Sequence, residues 1–234
     1  MEFDAKTILI TGAAGNLGRA VAAAFAAQGA SLALFDFDEE ALRRAFPGED
    51  PRWLRLHCDL MRSDSVASAV ESAFERFGRA DVLCNIAGGF VMGHRVDETP
   101  ADEWRFMMDL NAGSVIATAR AVVPRMLEAH SGKIVNIAAM AGLAGKPGMA
   151  AYSASKSAVI RLTESMSAEL RDHGINVNCV LPGTLDTPQN RAAMPDADPS
   201  LWVEPSAVAD VVLFLASERA RAIRGAAIPV VGLG

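Results

Sequence analysis

The chain reads as an α/β protein: a single doubly wound domain, residues 1–234, built on a seven-stranded parallel sheet. Three observations predict this. Short apolar runs alternate with longer helical stretches, a glycine-rich turn joins the first run to the first helix, and no linker or repeat interrupts the alternation. Such alternation implies right-handed crossovers and a sheet covered by helices on both faces. A length of 234 residues suits one domain of this class.

Thr7–Ile10 is a fully apolar or β-branched run, as a strand buried on both faces requires. The Ala-rich stretch Leu17–Gln28 follows as a helix, stopped by Gly29, and Ser31–Phe35 is the second strand. A short helix over Glu39–Phe46 closes at Pro47-Gly48, with Asp38 placed to cap it. Trp53–Cys58 is the third strand, Ser63–Phe77 a helix with Ser63 as its cap, and Asp81–Ile86 the fourth strand. One long helix is expected from about Ala101 to Ala129, then the strand Lys133–Ala138, a helix from about Ala151 to Arg171 and the strand Ile175–Leu181. A last helix near Ser206–Ala216 precedes the strand Ala227–Val231.

Composition narrows the function classes. With 51% hydrophobic and 21% charged residues the chain has the make-up of a protein with a well-buried core. A net charge of −6 and scattered basic residues give no reason to expect nucleic acid or an acidic membrane surface as partner. No apolar run approaches the ~18 residues of a membrane span. Met1–Lys6 carries two acids and no long apolar core, so no signal peptide is read there. Cys58, Cys84 and Cys179 are far apart and lie in apolar stretches; they read as buried hydrophobes, not as a disulfide or metal framework. His57, His94, His130 and His173 show no ligand spacing either, so no metal is expected. The expected compartment is the reducing cytoplasm.

Chemistry enters at the turn Thr11-Gly-Ala-Ala-Gly-Asn-Leu-Gly18, whose Gly12, Gly15 and Gly18 fall between the first strand and the first helix. A pyrophosphate approaches backbone closely only where side chains are absent, and a helix amino terminus offers it free N–H groups and a positive dipole. Asp36 ends the second strand, where a carboxylate accepts hydrogen bonds from ribose hydroxyls and repels a 2′-phosphate. No Lys or Arg directly follows it, so NAD(H) is expected over NADP(H). Asp59, closing the third strand, is placed to meet an adenine amino group. Tyr152, the only tyrosine, and Lys156 stand four apart at the start of a helix and so share a face. An ammonium beside a phenol is expected to lower the phenol's ordinary pKa near ~10 and suit it to proton transfer.

Together these motifs resemble the short-chain dehydrogenase/reductase family along essentially the whole chain. The matching residues are Thr11–Gly18, Asp36, Asp59-Leu60, Asn85-Ile-Ala-Gly88, Asn111, Tyr152-Ser-Ala-Ser-Lys156 and Pro182-Gly183. The resemblance implies a Rossmann-type fold, with Tyr152 as general acid or base. It also implies that Lys156 binds the nicotinamide ribose and that Asn111 holds a water in a proton relay. It places Asn16, Leu17, Leu60, Asn85, Ala87 and Gly88 along the dinucleotide, and Pro182, Gly183, Leu185 and Thr187 against its nicotinamide end.

One departure stands out. Where the family carries a catalytic serine, thirteen residues before the tyrosine, this chain has Ala139. Loss of one oxyanion donor typically costs about 2.7–4 kcal/mol in the transition state. The lid stretch Leu181–Trp202, with Cys84–Gly89 and Gly145–Met149, looks like the dihydropteridine reductase branch, which also works without the serine. That resemblance implies a quinonoid dihydropteridine as substrate, an activated acceptor that needs less oxyanion stabilisation. Two other readings remain open: an oxidoreductase of ordinary carbonyls or alcohols in which Thr184, Asn136 or a water replaces the serine, and a dinucleotide-binding protein with little catalysis. A homodimer or homotetramer is expected by resemblance, paired through the helices that hold Asn111 and Tyr152, with the Ala-rich segment Ala112–Val123 suited to close packing.

Overall fold

The computed structural model describes residues 1–233. One seven-stranded parallel sheet runs in the order β3-β2-β1-β4-β5-β6-β7. The strands are β1 (Thr7–Thr11), β2 (Ser31–Asp36), β3 (Trp53–His57), β4 (Val82–Asn85), β5 (Gly132–Ile137), β6 (Ile175–Pro182) and β7 (Ala227–Val230). The order reverses between β1 and β4, so a crevice opens at their carboxyl ends, the place where open α/β sheets bind ligands.

Both faces of the sheet are apolar because successive side chains point to opposite sides. Ile8, Ile10, Leu32, Leu34, Val82 and Cys84 pack toward α1 (Asn16–Ala27) and α8 (Pro205–Ala216). Leu9, Ala33, Phe35, Leu83 and Ile134 pack toward α3 (Ser63–Phe77) and α5 (Ser114–Glu128). The small residues of α1 let it lie close against α8. All three cysteines are free and buried, and burial raises the Cys58 and Cys179 thiols to about 11.

The expected helix over 101–129 is interrupted. It consists of α4 (Ala101–Met108), a π-helical turn at Asp109–Gly113 and then α5. A π turn takes in one more residue than an α turn and so re-aims the side chains it carries, here Asn111. Ser63 does not cap α3. Arg62 occupies the cap position without a side-chain bond, its guanidinium turned to Asp64 at 2.7 Å. Asp38 does cap α2 (Glu39–Ala45), accepting the Ala41 N–H at 2.9 Å. After α6 (Ala150–Leu170), the segment between β6 and α8 contains a short helix absent from the sequence reading, α7 (Pro188–Ala193), capped by Thr187. No helix among the described residues is long and apolar enough to cross a membrane.

Candidate active site

The crevice is closed at its base by backbone. Gly12 has φ +63°, and a Cβ there would come within 2.8 Å of the Ala87 Cα. A Cβ on Gly18 would meet the Gly12 carbonyl oxygen at 2.1 Å, so α1 rests directly on the turn that precedes it. Thr11 reinforces the closure: its hydroxyl accepts the N–H groups of Ile86 at 3.0 Å and Ala87 at 3.2 Å, joining the ends of β1 and β4. The amide N–H groups of Asn16, Leu17 and Gly18 open α1, whose first turn has no acidic side chain. These features fit a pyrophosphate.

Asp36 is tied to that turn. One carboxylate oxygen accepts the Ala14 N–H at 2.9 Å and the other the Asp38 N–H at 3.1 Å. Each oxygen has a second lone pair for a ribose hydroxyl. Two arginines of the following segments are paired on the surface: Arg43 with Glu39 at 2.5 Å and Arg62 with Asp64 at 2.7 Å. Asp59 accepts the Met61 N–H at 3.0 Å. Beside it a cavity of about 400 Å³ opens between Phe37, His57 and Arg62, large enough for a nucleobase. Leu60 is half-buried and packs on the α3 side of the core.

At the other end, α6 brings Tyr152 and Lys156 to the crevice on one face. Lys156 is 4% exposed, and its Nζ donates to the Ile137 carbonyl at 3.0 Å. It lies 6.0 Å from the centroid of the Tyr152 ring. Burial lowers the Lys156 ammonium to about 8 and raises the Tyr152 phenol to about 12. The expectation that the ammonium acidifies the phenol is corrected here. Both groups are buried, and desolvation of each charged form sets the direction of both shifts.

Asn111 binds the site together. Gly89 donates its N–H to Asn111 Oδ1 at 2.9 Å, and Asn111 Nδ2 donates to the Gly89 carbonyl at 3.1 Å and to the Ser155 hydroxyl at 2.9 Å. Ser155 in turn donates to the Tyr152 carbonyl at 2.8 Å. A Cβ on Gly88 would lie 2.7 Å from Asn111 Oδ1 and 2.9 Å from Lys156 Nζ, so only glycine lets the three elements meet. Ser155 was missed as a site residue; its place between Tyr152 and Lys156 was the available signal.

Ala139 is buried and extended, directly after β5, and offers only a methyl. Asn136 cannot stand in for the missing hydroxyl. It belongs to a buried ladder in which Thr118 donates to Asn85 at 2.9 Å, Asn85 to Asn136 at 2.8 Å and Asn136 to Thr163 at 2.9 Å. The Asn85 side chain is thereby committed to the core, and only its backbone reaches the crevice. Thr184 is exposed at the start of the lid, its carbonyl bound by the Val203 N–H at 2.9 Å.

The lid is anchored below and clasped above. Pro182 ends β6, Gly183 donates to the Val230 carbonyl at 2.9 Å, and Leu185 bridges to Val203. Thr187 caps α7 by accepting the Asn190 N–H at 3.2 Å. From α7, Gln189 reaches the glycine-rich turn, where Asn16 Nδ2 donates to its side-chain oxygen at 2.7 Å. The crevice therefore has a floor of glycines and a roof at α7.

The model of the short chain dehydrogenase family matches residues 6–198. The chain is 36% identical to the meso-2,3-butanediol dehydrogenase of Serratia marcescens, across 99% of this chain and 95% of that one. It is 32% identical to a 3-oxoacyl-[acyl-carrier-protein] reductase of Thermotoga maritima, across 99% and 98% of the two chains. Among solved structures, an NAD+-bound xylitol dehydrogenase superposes with a TM-score of 0.92 at 29% identity, covering 99% of this chain and all of that one.

Proposed function

The chain belongs to the short-chain dehydrogenase family and is an oxidoreductase with a nicotinamide cofactor; on that premise we propose that it uses NAD(H) and passes hydride to a small activated, conjugated acceptor. A quinonoid dihydropteridine is the substrate of this class that the lid segment Leu181–Trp202 favours. The observation that carries the reading is a buried alanine at 139, the position of the family's serine, with Asn136 locked in the core. An isolated ketone develops a localised oxyanion that needs a second donor, whereas a conjugated acceptor spreads its charge and can react with Tyr152 as sole donor.

The bound dinucleotide supplies the hydride. This chain's residues do the rest. Gly12, Gly15, Asn16, Leu17 and Gly18 hold its pyrophosphate, Asp36 and Asp59 its adenosine, and Ala87, Gly88, Pro182, Gly183, Leu185 and Thr187 its nicotinamide half. Asp36, with Arg43 and Arg62 engaged elsewhere, favours ribose hydroxyls over a 2′-phosphate. Tyr152 gives its phenolic proton to the substrate in reduction and takes one back in oxidation. Its high pKa keeps it protonated, the form a reductase needs. Lys156 fixes the ribose and can recharge Tyr152, being close to neutrality itself. Asn111 positions both through Gly89 and Ser155.

A second reading rests on the relatives. Butanediol and xylitol dehydrogenases are named for alcohol substrates, and Thr184 or a water could serve such a substrate here. The deciding experiment follows NADH oxidation with freshly generated quinonoid dihydropteridine against a panel of simple ketones. Turnover on the quinonoid substrate and little on ketones supports the first reading; the reverse supports the second. Tight NADH binding without turnover on either would reduce the protein to a dinucleotide binder.

We place the protein in the reducing cytoplasm as a homodimer or homotetramer. Trp104, Phe106 and Ile116 are exposed on α4 and α5, which flank Asn111; with α6, which holds Tyr152, these are the helices through which pairing is expected.

A further inference from the structure

We propose that Phe90 is the specificity-determining residue of the substrate site, an aromatic wall that selects an acceptor with a flat, unsaturated ring beside its reacting group. The inference rests on the hydride-transfer reading above and deepens it.

Phe90 meets the Tyr152 ring edge-to-face, with centroids 4.8 Å apart and planes at 88°. It remains 54% exposed, so the one aromatic ring paired with Tyr152 among the described residues is more than half open. The loop that carries the ring is held at both ends. On one side, Gly89 is held through both its N–H and its carbonyl by Asn111. On the other, Gly93 donates to the Gly148 carbonyl at 2.8 Å, tying the loop to the segment that leads into α6. Both glycines are needed there, with φ +131° at Gly93 and +71° at Gly148. One residue further, His94 bonds Glu103 at 2.8 Å, which ties this loop to α4.

The span 89–93 is therefore pinned at both ends and presents a hydrophobic ring next to the acid. Met92 on the same loop and Leu143 on the segment before α6 are each 55% exposed. A ring that slides against Phe90 gains the face or edge contact that Phe90 already makes with Tyr152, worth roughly two- to tenfold in affinity beyond the area covered. It also lies with its reacting atom toward the phenol. A puckered aliphatic ring gains neither.

The test compares isatin, flat and aromatic, with camphorquinone, also a vicinal dicarbonyl but an aliphatic cage that cannot enolise, as NADH-dependent substrates of the full chain and of Phe90→Leu. Leucine keeps apolar bulk and removes the ring, and NADH affinity and melting temperature report on folding. The expected result is a preference for isatin that falls at least fivefold in Phe90→Leu, carried by KM for isatin. A preference that does not change, or a loss confined to kcat and equal for both substrates, overturns the proposal. If the unmodified protein reduces neither compound, calorimetry of isatin binding to the protein–NADH complex decides the matter separately. Binding at least fivefold weaker in Phe90→Leu upholds the wall, equal or undetectable binding overturns it, and the hydride-transfer reading stands or falls on the quinonoid assay.

Discussion

Asn111 grips Gly89 through both backbone polar groups of that residue, at 2.9 and 3.1 Å. The grip spans from the π turn to the loop beyond β4, and the same amide reaches Ser155 under Tyr152. Asn111→Ala leaves the Gly89 N–H and carbonyl and the Ser155 hydroxyl short of partners in a buried setting. Each such loss costs about 1–3 kcal/mol. Turnover should fall by at least tenfold and the melting temperature should drop. Asn111→Asp, which keeps the acceptor but not the donor, should recover only part of either. Paired kcat/KM and thermal unfolding measurements check this.

Lys156 carries a pH signature. Its pKa falls from the ordinary 10.5 to about 8 in the folded protein, so between these values the unfolded chain binds the extra proton. Stability attributable to this residue must therefore rise with pH from about 8 to 10.5, and the full cost of burying the charge is present below pH 8. Lys156→Met should abolish turnover yet be as stable as the parent or more stable at pH 7, by roughly 1–3 kcal/mol. That advantage should vanish by pH 10.5. Urea unfolding at pH 7 and pH 10 measures it.

Ala139→Ser restores a hydroxyl where the oxyanion would form. Simple ketones should gain roughly tenfold or more in kcat/KM, the scale of one donor incompletely positioned. Conjugated acceptors should gain much less. Steady-state rates on one substrate of each kind show whether the gain is selective.

The strands, their parallel order and the glycine-rich turn were legible because each is written locally. Thr7–Ile10 is apolar on both faces, and Gly12, Gly15 and Gly18 stand where strand meets helix. Tyr152 and Lys156 were legible as a pair for the same reason, since four residues make one helical turn. What lay hidden depends on partners distant in the chain. The ladder from Thr118 through Asn85 and Asn136 to Thr163 joins residues 27 to 51 apart, and it consumed the amide of Asn136 that looked available as a donor. The π turn at Asp109–Gly113 has no local mark, because an extra residue in a helical turn leaves the surrounding composition helical. The phenol's pKa rose against expectation because spacing reports proximity to an ammonium but not the desolvation of both groups.

The clasp between Asn16 and Gln189, 173 residues apart, was equally beyond local reading. Gln189→Ala should weaken NADH binding about two- to fivefold, the worth of one exposed hydrogen bond, mainly by faster release. Stopped-flow displacement of NADH resolves the two rates.

Asp36→Ser should cost at least tenfold in NADH affinity, because the carboxylate orders the turn at Ala14 and is proposed to accept the ribose hydroxyls. NADPH affinity should rise as the repulsion of its 2′-phosphate disappears. Titration of each nucleotide by fluorescence quenching checks the crossover.

The most direct measurement is single-turnover oxidation of bound NADH by Tyr152→Phe, using a substrate the parent protein reduces. Removing the phenolic proton should slow the step by about 10²–10⁴-fold while NADH binds with unchanged affinity. A rate within a few-fold of the parent would contradict the assignment of Tyr152 as the proton donor.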